Sequence, residues 1–338
     1  MAIGKQSDFA IYQDEFHAGV TEVMQQEAEV FNTQSAGAIT LETQFHKGNY
    51  SSESFFQELS GLTSRRDTTS VAAVTDIAMT MGQDVGVKLD RKIGPVAQTL
   101  DSFRKIDADP RVMSYILGTQ WAKAIMVEQL NSGLAAGVTA FGKDLYVGTG
   151  TTGNTGVVGT VPAATDTMTH AALTRGLGAY GDASQRVRAF VMHSKVYFDL
   201  MRQAIADNVF NVAGVTIYQG TVASLNRPVI VSDSASLIST GTGVGGIDEY
   251  FTLALTGNAI NLRESEGRQI HSSIVDGLEN LVMRFQGEYA YTVGVKGYSW
   301  DIANGGANPS SATLTTVGNW DKNVTDNKSI GGSRILSA

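Results

Sequence analysis

The chain has 338 residues, enough to bury a real core as one large domain or two interleaved ones. Only 17% of them are charged, against about a quarter in an ordinary soluble chain, so part of the surface is expected to be covered by other chains. Cysteine is absent, which excludes disulfides, thiolate metal sites and cysteine nucleophiles, and 37 glycines against 5 prolines point to many turns, strands and extended loops.

The net charge of −8 is uneven. Residues 1–60 hold nine carboxylates against two lysines, which leaves a net −1 on the remaining 278 residues. No basic face suited to sequence-specific nucleic-acid binding stands out. The first residues, Met1 to Asp8, carry no apolar signal segment, and no apolar run is long enough to span a bilayer. The expectation is a protein made in a cytoplasm and not bound to a membrane.

Residues 1–45 read as an arm. Phe9, Tyr12, Phe16, Val20 and Val23 recur at three- and four-residue spacing, which predicts a short amphipathic helix that needs a partner surface. Phe55, Phe56 and Leu59 predict a second short helix from Ser52 to Leu59. From Gly61 to Thr99 the pattern predicts a long hairpin of low apolar content. A β-prone run, Arg65 to Thr75, leads to a turn at Gly82-Gln83-Asp84, and Val85, Val87 and Leu89 then alternate with Gly86, Lys88 and Asp90. Such a ribbon is not stable alone and must lie across something else.

Asp109 followed by Pro110 is a helix start. The helix runs through Met113, Ile116, Leu117, Ala124, Val127, Leu130 and Leu134 and ends near Gly137, about 40 Å long at 1.5 Å per residue. The glycine-rich stretch 148–156 reads as a loop. A helix around Met168–Tyr180, a strand Val187–Met192, a helix capped by Ser194, and short strands at Val215–Tyr218 and Val229–Val231 follow. Tyr250–Leu255 and Ala259–Arg263 read as a hairpin about Gly257-Asn258. Leu281–Phe285 and the alternation of Tyr289, Tyr291, Val293 and Val295 read as strand, and the chain after Gly305 as polar and turn-rich. The fold class is α+β.

Candidate chemistry is sparse. His17, His46, His170, His193 and His271 are scattered, without a metal-binding helix spacing. The 148–156 glycines lack the Lys-Ser/Thr of a phosphate loop. Asp107 with Asp109, and Glu264 with Glu266, read as a helix start and a solvated pair. Ser194 beside His193 invites a serine-nucleophile reading, but a helix cap at Ser194 explains it without catalysis and is the preferred reading. This reading assigns no catalytic residue, cofactor or metal. Arg65, Arg66, Lys88, Arg91 and Lys92 gather on the predicted hairpin. Opposite the acidic arm of a neighbouring copy (Asp8, Phe9, Tyr12, Asp14, Glu15, Phe16) they would register assembly, and alone they are solvated charges.

The order of elements resembles the major capsid proteins of tailed bacteriophages, the Hong Kong 97 type fold. Four stretches carry the likeness: hairpin 61–99 followed by helix 110–136; Val187 to Ser194 leading into a helix; Leu225-Asn226-Arg227-Pro228-Val229-Ile230-Val231-Ser232-Asp233, with Asn226 where glycine is usual; and Glu279–Phe285 with Glu288–Val295 as late paired strands. The resemblance implies an N-terminal arm (1–60), an E-loop (61–99), a spine helix with the first part of a P-domain (100–165), an A-domain (166–255), and return strands with a C-terminal tail (256–338). It further implies hexamers and pentamers of the chain in an icosahedral shell around double-stranded DNA, a portal, possible decoration proteins, and assembly in a host cytoplasm. The family's long charged pro-segment is not seen before the arm, so a separate scaffolding protein is expected. An encapsulin-like nanocompartment shell, or a serine hydrolase using Ser194, are the alternatives.

Overall fold

The computed structural model describes residues 6–57, 59, 61–99, 101, 110–144, 146–148, 166–211, 225 and 227–338. Two β-sheets share one long helix. The first sheet holds β1 (Ile39–Thr43), β2 (Tyr50–Phe56), β3 (Met81–Thr99), β9 (Ile260–Val275), β10 (Val282–Val295), β11 (Tyr298–Trp300) and β12 (Trp320–Lys322). Strand β10 is its centre, antiparallel to β9 on one side and to β3 on the other, with β2 outside β3. Met283, Phe285, Tyr289, Tyr291, Val293 and Val295 of β10 are buried, which is the period-2 face read from sequence. The strand is continuous, with a register shift between Phe285 and Gly287, and its partners are β9 and β3.

The second sheet runs β4 (Tyr146–Gly148), β13 (Gly332–Ser337), β8 (Glu249–Thr256), β5 (Val187–Met192) and β6 (Val229–Val231), with β7 (Ile238–Ser239) also on β8. Helix α3 (His170–Gly178), capped by the Thr169 hydroxyl, and helix α4 (Ser194–Asn211) flank it. A second core of Leu173, Tyr180, Phe190, Met192, Leu200 and Ile335 fills this region. The large first core lies between the seven-stranded sheet and the helices α1 (Gln6–Gln34) and α2 (Pro110–Asp144).

Helix α2, about 50 Å long at 1.5 Å per residue, is the beam. It buries Trp121, Ile125, Leu134, Val138 and Phe141. It does not stop at Gly137, because that glycine serves close approach: a Cβ there would meet Ile260 Cδ1 at 2.7 Å, and one on Gly133 would meet Leu262 at 3.0 Å. Helix α1 packs along α2 through Phe16, Val20 and Met24. Its partner surface is therefore its own chain. Phe16 stands edge-on to Trp121 at 5.1 Å and stacks on Phe285 at 5.6 Å. Gly19 and Gly118 bring the two backbones together, since an added Cβ would lie 2.9 Å from Tyr115 O and 2.6 Å from Phe16 O respectively.

Several local expectations are corrected. The helix expected from Ser52 to Leu59 is not formed by the described residues; Tyr50–Phe56 is β2, paired Tyr50↔Val87 through Phe56↔Met81. Adjacent Phe55 and Phe56 fit either a short helix or a strand, and the ladder to β3 decides. Gly82-Gln83-Asp84 is no turn but the first part of β3, and the run 65–75 has no partner strand among the described residues. Strands β8 and β9 belong to different sheets, so Gly257-Asn258 carries the chain between sheets instead of closing a hairpin, with Asn258 at φ 53°. The C-terminal stretch ends in β13, a central strand with Ile335 and Leu336 buried. Its apolar content is two residues flanked by polar ones, too short to signal a strand. Asp107, Asp109, residues 149–156 and the strand expected at 215–218 lie outside the described residues.

Candidate assembly surface

Strands β2 and β3 leave the body as a two-stranded ribbon whose neck is closed by Gln57. Its N–H donates to Thr80 O at 3.0 Å, and the Thr80 hydroxyl donates to its side-chain oxygen at 2.9 Å. The Gln57 amide also donates to Asn323 O at 3.1 Å, tying the neck to the body. Beyond the neck, residues 61–80 are exposed throughout. Leu62, Val71, Val74, Ile77 and Met79 lie there, with Phe56 and Met81 at the neck, all largely exposed. So much apolar side chain in water on one loop makes it a candidate contact surface. A turn stiffens its tip: the Thr69 hydroxyl and N–H donate to Asp67 Oδ1 at 2.7 and 2.9 Å, and hold its carboxyl below the usual range.

The basic residues expected at subunit contacts divide into two groups. Arg65 and Arg66 stand exposed on the loop and Lys92 exposed on β3. Lys88, only 4% exposed, is instead consumed inside the chain, where its ammonium pairs with Glu266 of β9. Arg91 is likewise drawn inward, donating to Glu128 of α2 at 3.2 Å and to Asn308 at 3.4 Å. On the arm, Phe16 is 1% exposed and packed in its own core, because three aromatic rings there complete one another. Asp8, Phe9, Tyr12, Asp14 and Glu15 fall in the first part of α1, and their side chains lie outside the described residues. Two further arm carboxylates are also used within the chain: Glu22 accepts from Tyr115 Oη at 3.1 Å, and Glu27 lies 4.0 Å from Lys123 Nζ.

Ser194 opens α4 as its first residue, and His193 takes the cap position. The Ser194 N–H donates to Asp233 Oδ1 at 3.3 Å, and the Lys195 N–H to His193 Nδ1 at 3.2 Å. The Ser194 side chain also bonds Asp233 and lowers its carboxyl pKa. A nucleophilic serine must give its proton to a base poised to take it. Here the hydroxyl is turned to the Asp233 carboxylate, His193 Nδ1 accepts from a helix-end N–H, and His193 Nε2 lies 3.6 Å from that same carboxylate, so neither imidazole nitrogen is set to take the serine's proton. Among the described residues no group of three or more His, Asp or Glu side chains could hold a metal ion. No helix among them is long and apolar enough to cross a membrane.

One cluster escaped the sequence reading. At the root of the ribbon, Glu53 of β2 sits directly across from Asp84 of β3, and Arg263 of β9 reaches Glu53 at 2.9 Å. Gly86 makes room: a Cβ there would meet Ser51 Oγ at 2.6 Å and Thr292 Cγ2 at 3.0 Å. Burial first, then the Glu53 charge, pushes the Asp84 carboxyl up to about 6, against the opposing pull of Arg263. Only strand register reveals it, since the three residues are separated by up to 210 positions.

A body of two sheets on one helical beam, with a two-stranded ribbon that ends in an exposed loop, is the Hong Kong 97 type capsid fold. Two solved capsids are similar to it in these terms. A chain of the cyanophage Pam1 capsid asymmetric unit matches with a TM-score of 0.57 at 14% identity, covering 90% of this chain and 92% of that one. A chain of the Ralstonia phage GP4 capsid matches at 0.51 and 13%, covering 89% and 87%. No curated protein matches by sequence. The sequence profile of the Gp13-like family, described as major capsid protein 13-like, matches residues 8–334. The chain belongs to that family of major capsid proteins.

Proposed function

We propose that this capsid protein builds an icosahedral shell of hexamers and pentamers around double-stranded DNA, and that loop 61–80, the outer part of the expected E-loop, joins neighbouring copies. The observation that carries this reading is the row Leu62, Val71, Val74, Ile77 and Met79, all exposed on the loop and left uncovered by the described residues of the chain. Arg65, Arg66 and Lys92 remain available to orient the contact. A separate scaffolding protein and a portal complete the assembly, which takes place in the host cytoplasm, with decoration proteins as possible additions. The near-neutral charge outside residues 1–60 suits a wall that encloses DNA without gripping it. The protein needs no active site for this, and the Ser194 geometry supports none.

Val71→Ser with Val74→Ser tests the reading. Burying a valine contributes about 1.5–3 kcal/mol, so losing two weakens each copy-to-copy contact by on the order of 100-fold or more. The subunit's own melting temperature should not move, while negative-stain microscopy should find no closed shells. Normal shell yield from the double variant would refute a joining role for the loop.

A further inference from the structure

The root of the ribbon combines features that ordinary strand pairing avoids. Like charges directly opposite on neighbouring strands repel, yet Glu53 and Asp84 are paired in register on β2 and β3. Arg263, rooted two strands away on β9, extends over Thr292, Gly294 and Gly86 to meet Glu53. Its Nε is buried and has no hydrogen-bond partner among the described residues, so the guanidinium satisfies one carboxylate and not the pair. Asp84, mostly buried, also faces a groove of about 530 Å³ lined by Lys296, beyond the end of β10, and by Asp326, ahead of β13. The Asp326 side chain already accepts from the Lys328 N–H at 3.0 Å. The charged groups around Asp84 are thus Glu53, Arg263, Lys296 and Asp326. No hydrogen bond from any of them reaches its carboxylate.

We propose that Glu53, Asp84 and Arg263 form a proton-operated latch: with one proton shared into the carboxylate pair, Arg263 clamps the ribbon to the body sheet, and loss of that proton loosens the root so that the ribbon can swing. The latch belongs to the single subunit and does not depend on how the loop is used between copies.

The sign follows from the Asp84 carboxyl, raised from 3.8 to about 6 in the closed root by burial and by Glu53. A raised group favours the closed form fully below its solvated value and loses that contribution as pH rises through the closed value. The window is therefore roughly pH 4 to 6. Two pKa units correspond to about 100-fold in the closed-to-open ratio, of which about 25-fold is spanned between pH 4.5 and 7.5.

Amide hydrogen exchange on the full-length chain, held below its assembly concentration, measures this directly. After correction for intrinsic exchange rates, protection of β2 and of residues 82–87 should fall about 25-fold from pH 4.5 to 7.5, while β13 holds steady. Asp84→Asn should abolish the pH dependence and stay protected at pH 7.5. Glu53→Gln removes the facing charge and frees Arg263 for Asp84, so its midpoint should move to lower pH. That shift decides the matter even if Asp84→Asn fails to fold. The proposal is overturned if the wild-type ribbon shows no pH dependence against β13, if Asp84→Asn keeps the wild-type slope, or if Glu53→Gln leaves the midpoint in place.

Discussion

Replacing Gly118 by alanine sets two effects of opposite sign against each other. In an exposed helix interior the change stabilises by about 1 kcal/mol. At this position the new Cβ would sit 2.6 Å from Phe16 O and 3.4 Å from its carbonyl carbon. The obstacle is helix backbone and cannot rotate away, so α1 must retreat from α2 by roughly 0.7 Å to restore ordinary contact. Overpacking of this kind costs about 1–3 kcal/mol. The retreat also loosens Phe16, Val20 and Met24, all buried at the same seam. The net expectation is a loss of about 1–2 kcal/mol, a fall of about 1.5–3 °C in melting temperature for a chain this size. Amide exchange should locate the loss in α1. Gly178→Ala is the control: an added Cβ there meets nothing within 4 Å, so it should be neutral or stabilising. A melting temperature for Gly118→Ala that rises with the control would refute the close approach of the two helices.

Three further outcomes are expected. Glu266→Gln leaves the buried Lys88 ammonium facing a neutral amide and should cost about 1–3 kcal/mol by thermal melting, less than a fully buried pair because Glu266 itself is 58% exposed; Lys88→Met with Glu266→Leu should recover most of it. Trp320→Ala removes a fully buried ring that lies 5.0 Å from Trp300 and donates to Leu314 O at 3.0 Å, so denaturant titration should show a loss of about 3–5 kcal/mol. Ser194→Ala should leave shell yield unchanged while the Asp233 carboxyl, released from its main hydrogen bond, titrates at higher pH by NMR; loss of shells would give Ser194 a role that its geometry does not suggest.

The periodic parts of the chain were legible in the sequence. The beam from Pro110, the strand Val187–Met192, the strand Val229–Val231 and the alternating face of β10 all announce themselves through apolar spacing. What failed were places where glycine or polar residues serve a tertiary purpose. Gly137 reads as a helix stop, but it is a gap for Ile260. Gly82 reads as part of a turn and Gly86 as one polar-face position of an alternating strand, but they make room for Phe55 and for Ser51 and Thr292. β2 is Tyr-Ser-Ser-Glu-Ser-Phe-Phe, whose strand character comes only from the ladder that β3 offers it. The exposed loop reads in sequence as poor in apolar residues, and its apolar side chains gain meaning only once the structure leaves them uncovered by the described residues.

The electrostatic part of the expected contact changes most. An acidic arm facing five basic residues would be a strongly charged joint. In the folded chain Lys88 pairs with Glu266, Arg91 with Glu128, Glu27 with Lys123, and Glu22 with Tyr115. These charges are spent holding β3, β9, α1 and α2 into one body before any neighbour arrives. Arg65, Arg66 and Lys92 are left, and three exposed cations contribute little to affinity at physiological salt, where screening acts within about 8 Å. They can orient an approach. If the loop joins copies as proposed, the energy of the joint has to come from Leu62, Val71, Val74, Ile77 and Met79, whose burial is weak for one copy and becomes strong only when a closed shell makes every contact at once. On that proposal a subunit should stay apart when dilute and assemble without needing a tight pairwise bond.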